Sequence, residues 1–215
     1  MLPSHFCWTR FGTEAGESIG SILERKEKER LAAGGMFLWG IGNSVGPAIR
    51  ELILLETRPM VVFSPMRSKP KVIDVAPSSV VEWTSALDLD GLDWPIPQGI
   101  RVTSRQGSEG GREKRAHFAL VCKSTLPLAV SGDSCSGLIY QRLVNLKSLN
   151  KLGASQVTAV VKHLEQASMD GIRYPVAFAA ELVYPYFVRL ENPVGAHRKQ
   201  RVSSEFGRQA SLLAA

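Results

Sequence analysis

Cysteine is scarce in this chain of 215 residues: Cys7, Cys122 and Cys135 are odd in number and far apart. That excludes a disulfide framework and points to a reducing setting, so a cytoplasmic protein is expected. No Cys-x-x-Cys pair occurs, and the four histidines (His5, His117, His163, His197) lack metal-ligand spacing, so no metal is expected. No apolar run reaches the roughly 18 residues of a membrane span. The opening residues, Met1 to Trp8, show no charged segment leading into an apolar one, so neither a membrane partner nor a signal peptide is expected. With 44% hydrophobic and 21% charged residues, the chain is an ordinary globular mixture and not a disordered, collagen-like or coiled-coil protein. One domain over residues 1–215 is expected from that length.

Charge of both signs is present, but it is segregated. Lys and Arg number 26 against 20 Asp and Glu, a net +6. Arg58 to Lys71 and Arg142 to Lys162 contain bases and no acid, and the tail 198–215 is basic. Asp74 to Trp94 holds five acids and no base. A fold that gathers the basic stretches on one face attracts a polyanion there, so nucleic acid, and double-stranded DNA in particular, is the expected partner.

Periodicity and punctuation predict a helix over Thr13 to Ala33, capped by Thr13 and stopped by Gly34-Gly35, with Glu24 to Arg30 as its solvated turn. Met36 to Ile41 predicts a strand buried on both faces. Pro47 opens a second predicted helix running to about Glu56, with Ile49, Leu52, Ile53 and Leu55 inward. Further strands are predicted at Met60 to Phe63, Val72 to Val75, Ile100 to Thr103, Phe118 to Cys122 and Tyr174 to Leu190, the last bent at Tyr184-Pro185. Val80 to Ala86 reads as one or two helical turns, and Gly137 to Asn150 is ambiguous between helix and strand. A helix capped by Ser155 is predicted from Val157, Val160, Val161 and Leu164. Glycine-rich residues 105–115 are expected to form a mobile loop. The fold class expected is α/β, with a mixed, largely parallel central sheet flanked by helices. The alternative is α+β with a small barrel of the PUA/EVE-like kind.

The sharpest local feature is the apolar strand ending in Gly40-Ile41-Gly42-Asn43-Ser44-Val45-Gly46-Pro47 and entering a helix. Ligands gather at such junctions because backbone N–H groups and the helix dipole meet there. The glycine spacing misses Gly-x-Gly-x-x-Gly by one residue, and no P-loop lysine follows, so no nucleotide cofactor is expected. Ser64, Arg67 and Lys69 offer a phosphate grip after a buried strand, with Arg198 and Lys199 adding charge from the tail. Trp39, Phe63, Trp83 and Tyr184 are the candidate aromatics for stacking. Asp74 and Glu181 stand between apolar neighbours, where burial raises a carboxylate's pKa unless a base pairs with it.

Gly40-Ile41-Gly42-Asn43 resembles, with one added residue, the Gly-Ile-Asn-Pro first motif of the uracil-DNA glycosylase superfamily. That family's late His-Pro-Ser or Asn-Pro-Ser motif is similar to Asn192-Pro193-Val194 after the strand Phe187 to Leu190, with Val194 where the family has Ser. The resemblance covers these two short segments. It implies a DNA glycosylase that flips a damaged or modified base and hydrolyses its N-glycosidic bond without a cofactor. Asn43 would then position base or water, with Asp74 or Glu181 as the carboxylate. Trp39, Ser44, Phe63, Tyr184 and Asn192 would hold the base. The alternative function is a non-catalytic PUA/EVE-like reader that encloses a modified base in an aromatic cage.

Overall fold

The computed structural model describes residues 3–12, 18–65, 80–100, 102–105, 117–128, 139–140, 143–150, 152, 157–163 and 174–195. Asp74, Arg67, Lys69, Arg198 and Lys199, the strand predicted at Val72 to Val75, and the tail 198–215 lie outside them, as does all of the predicted loop but Arg105. The strands are β1 (His5–Phe11), β2 (Met36–Ile41), β3 (Met60–Pro65), β4 (Val80–Leu87), β5 (Asp93–Trp94), β6 (Val102–Arg105), β7 (His117–Lys123), β8 (Ile139–Tyr140), β9 (Leu143–Asn145), β10 (Thr158–His163), β11 (Tyr174–Pro175) and β12 (Phe178–Gly195). Among the described residues two helices accompany them, α1 (Ile19–Ala32) and α2 (Gly46–Leu55). No described helix is long and apolar enough to cross a membrane.

The main sheet runs β2-β7-β12-β3-β1-β10-β9, with β4 joined to β12 and carrying β5 and β6; β8 and β11 pair separately. The fold is mixed α/β, but the expectation of a largely parallel sheet is corrected. Among the described residues β1 with β3 is the one parallel ladder, and every other pairing is antiparallel. β7 and β12, which come much later in the chain, lie between β2 and β3, and the three antiparallel ladders that link these strands leave β2 and β3 running in opposite directions.

Helices also cover one face rather than two. Leu23 of α1 and Ile49 and Leu52 of α2 bury in one cluster with Cys7, Phe37, Trp39, Val61, Phe63, Cys122 and Leu182. On the opposite face β4 to β6 fold over Leu38, Val121 and Val188. A second patch there, Phe6, Trp8, Val62 and Val161, is covered by Leu152 and Val176.

The sheet curls strongly around the helical face. Phe11 on β1 and Trp39 on β2 are four strand steps apart, about 19 Å in a flat sheet. Their ring centroids are 5.5 Å apart. Trp39 likewise meets Phe63 of β3 at 4.7 Å, and Phe63 stacks on Phe178 at 4.2 Å. Open-barrel curvature therefore brings the early strands together across an aromatic interior.

Several local readings hold. β2 spans Met36 to Ile41, Pro47 sits in the first turn of α2, and Gly34 (φ 62°) and Gly35 (φ 96°) follow α1. The bend in β12 falls at Tyr184-Pro185, a cis peptide, with the register against β7 shifting between Leu182 and Phe187. Others are corrected. The cap of α1 is Ser18, whose Oγ accepts from the Ser21 N–H at 3.1 Å. Lys26 and Glu29, assigned to a solvated turn, are buried, whereas Leu55 is exposed. Val80 to Ala86 is strand. Trp83 and Ala86 both bury, a three-residue spacing that a helix shares, but the ladders to β12 and β6 decide it. The helix predicted after Ser155 is β10. Its adjacent Val160 and Val161 bury in clusters on opposite faces, which suits a β-branched run in a sheet.

Candidate functional site

The turn after β2 owes its position to what surrounds it. Phe37, Leu38 and Trp39 anchor the strand in the core, while Gly40 and Gly42 to Ser44 are exposed. Gly46 then begins α2 against β12. A Cβ there would lie 3.3 Å from the Phe187 ring and 3.4 Å from Leu89, so glycine permits this approach. Val45, the N-cap residue of α2, supplies no side-chain hydrogen bond, so the first N–H groups are left to other acceptors.

The ladders fix where this turn sits relative to Asn192. Ile41 pairs with Phe118, and Phe118 with Arg189. β2 and the second limb of β12 therefore run in one direction on either side of β7. Asn43, two residues past Ile41, leaves the sheet, whereas Asn192, three past Arg189, stays within β12 on its β4 side; both lie at the same end, beyond His117 of β7, separated laterally by about 10 Å. Asn192 has a left-handed backbone (φ 53°), its Nδ2 donates to Ser85 Oγ at 2.8 Å, and its carbonyl accepts from Thr84 Oγ1 at 2.9 Å. The junction is thus tied down on its β4 side.

The electrostatics of this end are mixed. Asp88 Oδ1 accepts from the Asp90 and Leu92 N–H groups and shapes an acidic turn whose Leu89 packs on Gly46. Arg50 of α2 donates to Asp90 at 2.8 Å and to the Leu89 carbonyl. Arg189 and Glu191 form an ion pair at 2.6 Å. The described residues hold 12 Lys and Arg against 11 Asp and Glu, +1 of the total +6. The other +5 belongs to segments outside them, 66–79 and 196–215 prominent among these.

Of the remaining sequence-predicted residues, Tyr184 is exposed at 69%. Trp39 and Phe63 are packed in the aromatic interior, Phe63 completely, which closes both rings to a base and corrects their assignment as a stacking floor. Ser64 is buried within β3 and is corrected likewise as a phosphate grip. Glu181 pairs with Arg58 at 2.9 Å and lies opposite Lys123, at the far end of β7 from Phe118. It is therefore not beside Asn43. Trp83 packs on the His117 ring at 4.8 Å.

Two features escaped the sequence reading. Gly42-Asn43-Ser44-Val45-Gly46 has Gly-x-Ser-x-Gly spacing between a strand and a helix, the setting of a nucleophilic serine. Ser44 lacks its machinery: no described histidine hydrogen-bonds it, and its backbone is not among the positive-φ residues. The second is Lys26, which donates to both oxygens of Glu29 at 3.0 and 2.8 Å inside the fold. Burial pushes Lys26 down and Glu29 up, outweighing their mutual attraction, while the Leu38 N–H donates to Glu29. Burial also pushes the Cys7 thiol up to about 12 and Cys122 well above its ordinary value, which disarms both as nucleophiles. No group of His, Cys, Asp and Glu among the described residues is arranged to hold a metal. Comparison with protein-family models, curated proteins and solved structures gives no match to this chain.

Proposed function

We propose that this protein binds nucleic acid and grips a single base at the end of the sheet where β2 gives way to the Gly42 to Ser44 turn near Asn192 of β12, reading it without cutting the strand. The observation that carries this is the Ile41–Phe118–Arg189 register, which sets the exposed Gly42-Asn43-Ser44 turn beside Asn192. Asn43 offers a donor and an acceptor to a base edge, and the α2 N-terminus offers further N–H groups. Phosphate attraction comes from the basic segments that follow β3 and β12, where Arg67, Lys69, Arg198 and Lys199 stand. The curled antiparallel sheet favours a barrel-like reader over the largely parallel sheet expected from the sequence.

Hydrolysis is the second reading, and the placement of the Asn43 turn and Asn192 at one end of the sheet favours it. With Glu181 held by Arg58 away from that end, Asp74 is the carboxylate this reading requires. Duplexes carrying assorted modified bases, incubated with the protein and then treated with alkali, separate the two. Binding with intact strands, weakened in Asn43→Ala, supports reading. Breaks that vanish in Asn43→Ala support hydrolysis. Absence of salt-dependent binding to any nucleic acid rejects both.

A further inference from the structure

We infer that a second surface, the rim made by the end of β10 and the starts of β1 and β3, continuing to the kink of β12 and the end of β7, binds single-stranded nucleic acid by stacking a base on Tyr184. The inference rests on the nucleic-acid reading above but concerns different residues. His5 pairs with Lys162, and Cys7 with Val61, so the start of β1 is level with Pro59. The Leu182 N–H donates to the Pro59 carbonyl at 2.8 Å, and Glu181 pairs with Lys123 across β7. Lys162, Arg58 and Lys123 therefore stand at one level along this edge, Lys162 on the face that Val160 and Cys122 share and Lys123 on the opposite face. The four strand spacings of this edge measure about 19 Å along the curve, long enough to follow more than one phosphate of a strand.

The acids on this edge are engaged. Glu181 accepts from Arg58 at 2.9 Å, and Glu56 takes both the backbone N–H and the ring Nδ1 of His5. No described carboxylate forms an ion pair with Lys123 or Lys162. Beside them Tyr184 projects, 69% exposed, from the point where β12 shifts register. Tyr186 braces it edge-on at 6.3 Å and has a left-handed backbone (φ 68°), so the ring stands on a fixed corner rather than a loop. An exposed aromatic face flanked by cations suits an unpaired base, whose π-face is open, better than a duplex, whose bases are covered by their neighbours.

The test measures fluorescence anisotropy of a labelled single-stranded oligodeoxythymidylate and of a matched duplex, at low and high salt, with the full chain. The expected result is salt-dependent binding of the single strand, weakened about tenfold by Tyr184→Ala and retained by Tyr184→Phe. Lys123→Gln and Lys162→Gln are each expected to lower the salt slope by about one. Single-strand binding that Tyr184→Ala leaves unchanged overturns this inference alone, provided that Asn43-dependent binding persists. No binding of either probe by the wild-type chain overturns both readings.

Discussion

Gly99 stands at a point where a Cβ would lie 2.8 Å from that of Ala32, with φ +91°, so both space and backbone demand glycine. Gly99→Ala is expected to cost about 1–3 kcal/mol. Gly40, with nothing within 4 Å of its would-be Cβ and no positive φ, is the control. Gly40→Ala is expected to be neutral or stabilising by up to about 1 kcal/mol, both read from urea midpoints. Titration gives a second prediction at this scale. The Arg30 guanidinium, aided by the Leu128 N–H, lowers the Glu27 carboxyl from its ordinary 4.5 to about 2. Between these values the unfolded chain binds more protons than the native one. The stability Glu27 contributes is therefore complete above about pH 4.5 and lost as pH falls toward 2. Glu27→Gln is expected to flatten the dependence of the urea midpoint on pH across that window. The buried thiols give a third. In a Cys135→Ser background, native protein is expected to react with a disulfide reagent only as fast as it unfolds, because Cys7 and Cys122 are both fully buried.

Among elements, α1 is held to β2 by a buried charge pair, which defines its own experiment. Removing Lys26 leaves buried Glu29 the more distant Arg25, at 3.9 Å, so Lys26→Met alone is expected to cost up to about 3–5 kcal/mol. Adding Glu29→Gln, which keeps an acceptor for the Leu38 N–H, is expected to restore most of that loss in thermal melts. Elements whose boundaries are set locally were legible in the sequence. The glycines after α1, Pro47 at the start of α2 and the unbroken apolar run of β2 each impose a backbone conformation on their own residues. Elements decided by distant partners were not. Val157, Val160 and Val161 fit a helical stripe as well as a strand, and pairing with β1 and β9, 157 residues apart in the case of His5 and Lys162, selects the strand. Candidate residues divide in the same way. The exposed Asn43 turn was legible because glycines mark it, but the burial of Trp39, Phe63 and Ser64 depends on curvature that no local pattern encodes.

At the scale of the whole molecule, insertion of β7 and β12 between β2 and β3 determines everything proposed for function. It joins β2 to β3 through three antiparallel ladders in a curled sheet with aromatic side chains inward, and brings the Gly42 to Ser44 turn and Asn192 to one end. Segment 196–215 carries Arg198, Lys199, Arg201 and Arg208 against Glu205, so nucleic-acid affinity is expected to fall when it is removed, with a reduced salt slope in anisotropy titrations. The most direct measurement is an NMR titration of the full chain with an oligonucleotide, following backbone amides. The expected result is that Gly42, Asn43, Ser44 and Asn192 shift together along one saturating curve. Shifts confined to other residues, or Asn192 and the Gly42 to Ser44 turn responding at different ligand concentrations, would contradict a shared grip on one base.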